Sequence, residues 1–232
     1  MKILALGAHP DDIEIFMFGT MAAYAAQGAE LTFAVATDGA RGGKSDPGVL
    51  ARVRREEATA AAALLRAAPR FLDFPDGELV ADAALIGALK ALIRETGPDL
   101  VITHAPNDYH ADHRALSDGV RIAASFRVPV VHADTMGGTG FSPTHYVDIS
   151  VHRDIKTRAI RAHRSQGPEQ YVDRARIQNE FRAGQCNGVP GSLAEAFRFD
   201  PSFPFADIRA LLPPAPPLRP VTPNTNPVTQ AG

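Results

Sequence analysis

Short apolar runs of strand length recur along this chain with longer helix-forming stretches between them, and that alternation leaves few folds open. The runs are "KILALG" (2–7), "LTFAVAT" (31–37), "RFLDF" (70–74), "DLVITH" (99–104) and "PVVHAD" (129–134). Their near-continuous apolar character reads as strands buried on both faces. Residues 14–27, 50–66, 81–95 and about 112–126 have helix-forming composition, and "LARVRREEATAAAALLR" (50–66) is rich in Ala, Leu, Arg and Glu. Repeated strand–helix units predict a Rossmann-like, doubly wound and mainly parallel sheet, with right-handed crossovers and helices on both faces. At 232 residues the chain has room for one such α/β domain.

The pattern loosens beyond residue 135. "MGGTGFSPTHYVDIS" (136–150) reads as a loop ending in a short strand over 146–150, followed by helices near 152–165 and 169–184. The end, "PPAPPLRPVTPNTNPVTQAG" (213–232), is proline-rich with almost no charge, so it is expected to be extended or disordered. That leaves residues 1–212 as the folded domain. The one cysteine, Cys186, forms no intramolecular disulfide and reads as a packing residue. The N-terminal apolar run is too short for a secretion signal, and no stretch reaches membrane-spanning length. A cytoplasmic protein without a membrane partner is expected. A net charge of −2 offers no general attraction for nucleic acid.

In an open parallel sheet, ligands bind outside the carboxyl ends of the strands. The chemistry-bearing residues of this chain collect there. His9, Asp11 and Asp12 follow the first run, and Asp38 and Arg41, in "TDGARGG", follow the second. Asp76 lies after the third, and "THAPNDYHADHRA" (103–115) follows the fourth. His9 and Asp12, three residues apart at a helix entrance, can face one ion. His110 and His113 share that spacing and supply a further ligand. With His113 as the ligand, His110 stays free in the same cavity, and Asp112 or Asp108 could orient it. Three protein ligands with one open position suit catalytic zinc, although imidazole and carboxylate also accept iron, cobalt or manganese. Asp11, beside Asp12, is placed to accept a proton from water. The Gly-rich "DGARGG" loop offers a cradle for an anionic or sugar group, or is simply a flexible turn. Asp-Asp before a helix also serves as an N-cap. The chain lacks both a Gly-x-Gly-x-x-Gly turn after its first strand and a Walker loop, which disfavours nucleotide cofactors.

At these residues the sequence resembles the PIG-L/LmbE-like family of zinc-dependent N-acetylglucosaminyl deacetylases. "AHPDDIE" (8–14) and "HADH" (110–113) carry the resemblance. Weaker matches in family order are "GT" (19–20), "TDGARGG" (37–43), Arg54 and Glu57, "FPDGEL" (74–79), "YVDIS" (146–150) and "HRSQ" (163–166). The resemblance implies one Zn2+ per chain on His9, Asp12 and His113, with Asp11 as general base. It implies His110 as the group that stabilises charge or protonates the amine, supported by Asp112, and Arg54 near the sugar. It implies a small acetylated amino sugar or glycoconjugate as substrate, and assembly into homo-oligomers. One departure is "FMFGT" (16–20), where Phe16, Met17 and Phe18 read as core, with one of them narrowing the cavity. Two rival readings use the same residues: a metallohydrolase acting on another amide or an ester, and a non-catalytic module that holds a sugar or nucleotide.

Overall fold

The computed structural model describes residues 1–221. One sheet contains β1 (Lys2–Gly7), β2 (Glu30–Thr37), β3 (Arg70–Phe74), β4 (Leu100–Thr103), β5 (Val130–Ala133), β6 (His145–Asp148) and β7 (Ala194–Arg198). Their order is β3-β2-β1-β4-β5-β7-β6. The first five pair in parallel, whereas β7 runs antiparallel to both β5 and β6. The chain winds outward from β1 through β3 and returns to β4 on the other side. The carboxyl ends of β1 and β4 therefore flank the point where strand order reverses, the usual crevice for a ligand.

The helices are α1 (Asp12–Phe16), α2 (Phe18–Ala26), α3 (Pro47–Ala63), α4 (Ala83–Thr96), α5 (Ala111–Ala124), α6 (Arg153–Ala162) and α7 (Glu169–Gln185). Local chemistry sets several of their ends. Asp46 accepts from Val49 N–H at 3.0 Å before a Pro at the first turn of α3. Asp82 caps α4, which stops at Gly97 in the left-handed conformation. Strand alternation divides the core in two. Ile3 and Ala5 of β1 join Met21, Phe33, Ile102 and Phe197 on one face, and Leu4 and Leu6 join Leu85, Leu89, Leu116 and Val120 on the other. No helix among the described residues is long and apolar enough to cross a membrane.

Three features differ from the sequence reading. β7, "AEAFR", carries helix-forming Ala and Glu, yet pairing on both sides and burial of Ala194, Glu195, Ala196 and Phe197 override propensity. The helix expected over 14–27 is broken at Met17, whose φ of −143° separates α1 from α2. Met17 and Phe18 are fully buried core, and Phe16 reaches the cavity described below. The proline-rich end packs in part. Pro214 O accepts from Asp148 N–H at 2.8 Å, Pro217 O accepts from Val189 N–H at 3.0 Å, and Pro213 and Pro216 are buried. Residues 222–232 lie outside the described residues.

The break at Met17 gives α2 its own N-terminus, and β7 caps it. Glu195 accepts from Gly19 N–H at 2.9 Å and from Thr20 N–H at 2.7 Å, and Lys156 Nζ lies 2.6 Å from the same carboxylate. All of this is buried. Gly19 is required by contact, since a Cβ there would meet Ile149 at 2.7 Å. Removing one partner of a buried ion pair strands the other charge. Lys156→Met is therefore expected to cost about 3–5 kcal/mol of unfolding free energy in urea titrations, and a loss below about 1 kcal/mol would show the pair to be dispensable.

Candidate active site

The first half of the site is a turn closed by its own side chain. After β1, Asp12 Oδ2 accepts from His9 N–H at 2.7 Å, folding the carboxylate back over the strand end. Gly7 permits this, because a Cβ there would sit 2.9 Å from Asp12 Cβ. The turn holds Asp11 at φ 137°, a strained conformation for a residue with a side chain. The second half is the entrance to α5. His110 is its N-cap, with Nδ1 accepting from Asp112 N–H at 3.2 Å, and His113 follows on the first turn.

These loops bring His9, Asp12 and His113 together. His9 Nδ1 lies 3.2 Å from His113 Nε2 and 3.4 Å from Asp12 Oδ2, and His113 Nε2 lies 3.4 Å from Asp12 Oδ1. The far nitrogens face carboxylates. His9 Nε2 is 3.1 Å from Asp112 Oδ2 and 3.2 Å from Asp76 Oδ1, and His113 Nδ1 is 3.2 Å from Asp108 Oδ1. Protons therefore belong on those far nitrogens, which turns a lone pair of each ring toward Asp12, as in histidines that ligate metals.

Two nitrogen lone pairs and a carboxylate in a buried space repel one another unless a cation joins them. Ligands on a tetrahedral ion with bonds of roughly 2.0–2.1 Å stand roughly 3.3–3.4 Å apart, close to the 3.2 Å between the two ring nitrogens and to the 3.4 Å from each ring to one or the other Asp12 oxygen. The donor set fits a divalent transition metal. Three other buried or half-buried triads, His9 with His110 and His113, Asp12 with His104 and His113, and His9 with Asp76 and Asp112, have donor atoms within 4.8 Å and share residues with this centre.

The electrostatics agree. Burial opposes charge on His9, but Asp112, Asp12 and Asp76 outweigh it and push its pKa up to about 12. Burial likewise opposes charge on His113, and Asp12 and Asp108 lift it to about 9. The surrounding carboxylates thus favour positive charge at this point. Asp11 behaves differently: burial pushes its carboxyl up to about 6, against the pull of Arg54 and with the help of Asp12. His110 is pulled down by burial and by His9 and His113, so it stays neutral, and its N-cap bond at Nδ1 leaves the proton on Nε2.

A cavity of about 440 Å³ opens over the centre, lined by Asp11, Arg41, Tyr109, His110, Met136 and Tyr171 among others. The expected residues divide by position. His9, Asp11, Asp12, His110 and His113 all line it. Arg54 lines it too, but its guanidinium is spent on the protein: Nη1 donates to Gly39 O at 3.0 Å, and Nη2 donates to Pro10 O at 2.8 Å and to Asp11 Oδ1 at 3.1 Å. Arg41 stands at the rim, pairing with Glu78 and donating its backbone N–H to Asp76 at 2.9 Å. Asp38 builds the loop behind, accepting from Ala40 N–H at 2.9 Å and Asp76 N–H at 3.2 Å. The glycines of "DGARGG" have a packing reason, since a Cβ at Gly42 would lie 2.2 Å from Arg54 Nη1.

Asp112 serves another partner than the one expected. Its carboxylate contacts His9 and accepts from Gly77 N–H at 2.7 Å and Leu79 N–H at 3.2 Å, while only its backbone N–H reaches His110. A short N-cap turn brings the Asp112 amide, not its side chain, under the His110 ring. Asp76, two residues past β3, and His104, next after β4, belong to the residues that the sequence collects at this edge, but the sequence assigns them no role. Asp76 backs His9, and His104 Nε2 lies 3.0 Å from Asp12 Oδ2.

Residues 4–124 match the family described as PIG-L, GlcNAc-PI de-N-acetylase. The chain is 30% identical over 189 residues to diacetylchitobiose deacetylase of Thermococcus kodakarensis, covering 72% of this chain and 71% of that one. Among solved structures it is similar to N,N'-diacetylchitobiose deacetylase from Pyrococcus horikoshii, with a TM-score of 0.75 and 25% identity over 86% of this chain and 83% of that one. It also shares its fold with the 4-carboxy-2-hydroxymuconate hydratase GalB of Pseudomonas putida, with a TM-score of 0.74 and 24% identity over 85% and 95% of the two chains. That fold thus hosts more than one reaction. On the match across residues 4–124, which contain both site-forming loops, the chain belongs to the PIG-L family of GlcNAc-PI de-N-acetylases.

Proposed function

We propose that the protein hydrolyses the N-acetyl amide of an N-acetylglucosamine-type sugar or conjugate, with a divalent cation, zinc first among them, held by His9, Asp12 and His113. The observation that carries this reading is two ring nitrogens 3.2 Å apart, each 3.4 Å from an oxygen of Asp12, beside a second carboxylate, Asp11, that is not needed to hold the ion. A zinc ion bound there would act as a Lewis acid and lower the pKa of water toward roughly 7.

The chain's own groups divide the remaining work. Arg54 holds Asp11 at the cavity wall, and a carboxyl near pKa 6 can both take and return a proton near neutrality. Asp11 removes the proton of the attacking water. His110 presents its Nε2–H to the acetyl oxygen as that oxygen gains negative charge. Protonating His110 at Nδ1 would turn its bond from Asp112 N–H into a donor–donor clash, so the ring works as a neutral donor. The proton for the departing nitrogen therefore comes from Asp11. Acetate and a free amine result. Asp112, Asp76 and Asp108 fix the two ligand histidines, and Tyr109 and Tyr171 offer ring surface at the mouth for the sugar.

The test is acetate and free-amine release from a panel of N-acetylglucosamine conjugates, diacetylchitobiose and an inositol-linked sugar included. Activity is expected to vanish on chelation and to return with added Zn2+. A zinc-loaded protein that releases acetate from none of the panel overturns the proposal.

A further inference from the structure

One histidine at the centre has no part in the scheme above. His104 directly follows β4 with no exposed surface, and its ring is clamped. It stacks on His113 with centroids 3.7 Å apart and planes 14° from parallel, and the edge of Phe16 meets it at 5.7 Å. Its backbone is pinned as well, because His132 Nδ1 donates to His104 O at 2.8 Å.

Its Nε2 has two neighbours, Asp12 Oδ2 at 3.0 Å and Ala8 N–H at 3.1 Å, and can satisfy only one as donor or acceptor. A lone pair on Nε2 would face the Asp12 carboxylate in a fully buried place. It would also leave an N–H on Nδ1, which has no partner among the described residues. A proton on Nε2 instead makes a charge-assisted bond, roughly twice as strong as a neutral one. The charged Asp12 partner therefore decides the tautomer over the neutral Ala8 N–H, which is left facing a second donor.

We infer that His104 is a positioning residue for the metal site, an inference that rests on the function proposed above. With His9 N–H and His104 Nε2–H both on Oδ2, the Asp12 carboxylate cannot turn, and Oδ1 is left facing His113 Nε2 as the ligand oxygen. The stacked ring holds His113 from behind at the same time. One residue thus sets the direction of two ligands supplied by loops about 100 residues apart.

The test is Zn2+ affinity by chelator competition, together with the visible spectrum of the Co2+-loaded protein, in His104→Leu and His104→Gln. Leucine fills the space without a donor, whereas glutamine keeps an N–H near Asp12. Loss of an outer partner of a metal ligand costs about 10–100-fold in affinity, and that loss, with an altered Co2+ band, is expected for His104→Leu. His104→Gln is expected to restore the band and to bind Zn2+ within about threefold of wild type. Should the leucine variant fail to fold by circular dichroism, His104→Asn, whose donor is too short to reach Asp12, takes its place. Wild-type affinity in the donorless variant overturns the inference, as does an equal loss in the glutamine variant. A wild-type protein that binds neither ion overturns the proposed function itself.

Discussion

Asp11→Asn is expected to lower kcat by about 10²–10⁴-fold, the usual contribution of a general acid–base group, while metal content stays near that of wild type. The two halves of this result rest on different atoms. Asp11 lies at the cavity wall, but the proposed ligand trio is complete without it. Asparagine keeps the side-chain shape and an oxygen for the Arg54 contact, so the turn at φ 137° has no new reason to open. It cannot take a proton from water near neutrality. Paired kinetics and metal analysis on the purified variant decide the matter. A kcat within tenfold of wild type would remove Asp11 from the proton-transfer role, and loss of metal would move it among the ligands.

His113→Ala is expected to take the metal content from about one ion per chain to none that survives dialysis, and to abolish activity with it. Two donors of the proposed trio would remain, His9 and Asp12, and the N-cap bond of His110 and the Asp12 bond of His104 hold the neighbouring rings to other partners. Losing a ligand exceeds the about 10–100-fold penalty for losing a ligand's outer partner. The variant also separates the two loops as contributors, since it leaves the turn at residues 9–12 intact. A variant that retains the ion would show that His110 or His104, both with donor atoms within reach, completes the site instead.

Much of this architecture is legible in the chain because it depends on local pattern. The five apolar runs mark β1 to β5, and the three-residue spacings of His9 with Asp12 and His110 with His113 mark the two halves of the centre. Other features depend on contacts between distant segments. "AEAFR" becomes β7 only because β5 and β6 offer it edges on both sides. The break at Met17 has no Gly or Pro to announce it, and the carboxylate that caps the new helix end is Glu195, 176 positions from Gly19. The same holds for charge. Asp112 was expected to serve its neighbour His110, but it contacts His9, 103 positions away, because the turn into α5 carries the side chain across the cleft. The role of Arg54 follows from close packing with Gly39 and Gly42, which spacing alone does not express.

The ring of His110 has two employments, ending a helix and lining the cavity. Asp, Asn and Ser are the residues that usually improve such a helix end, and each would remove the Nε2–H on which the proposed reaction relies. Variation selected for thermal robustness alone would therefore tend to erode turnover at this position, and the histidine marks where the fold accepts a weaker cap for the sake of its chemistry.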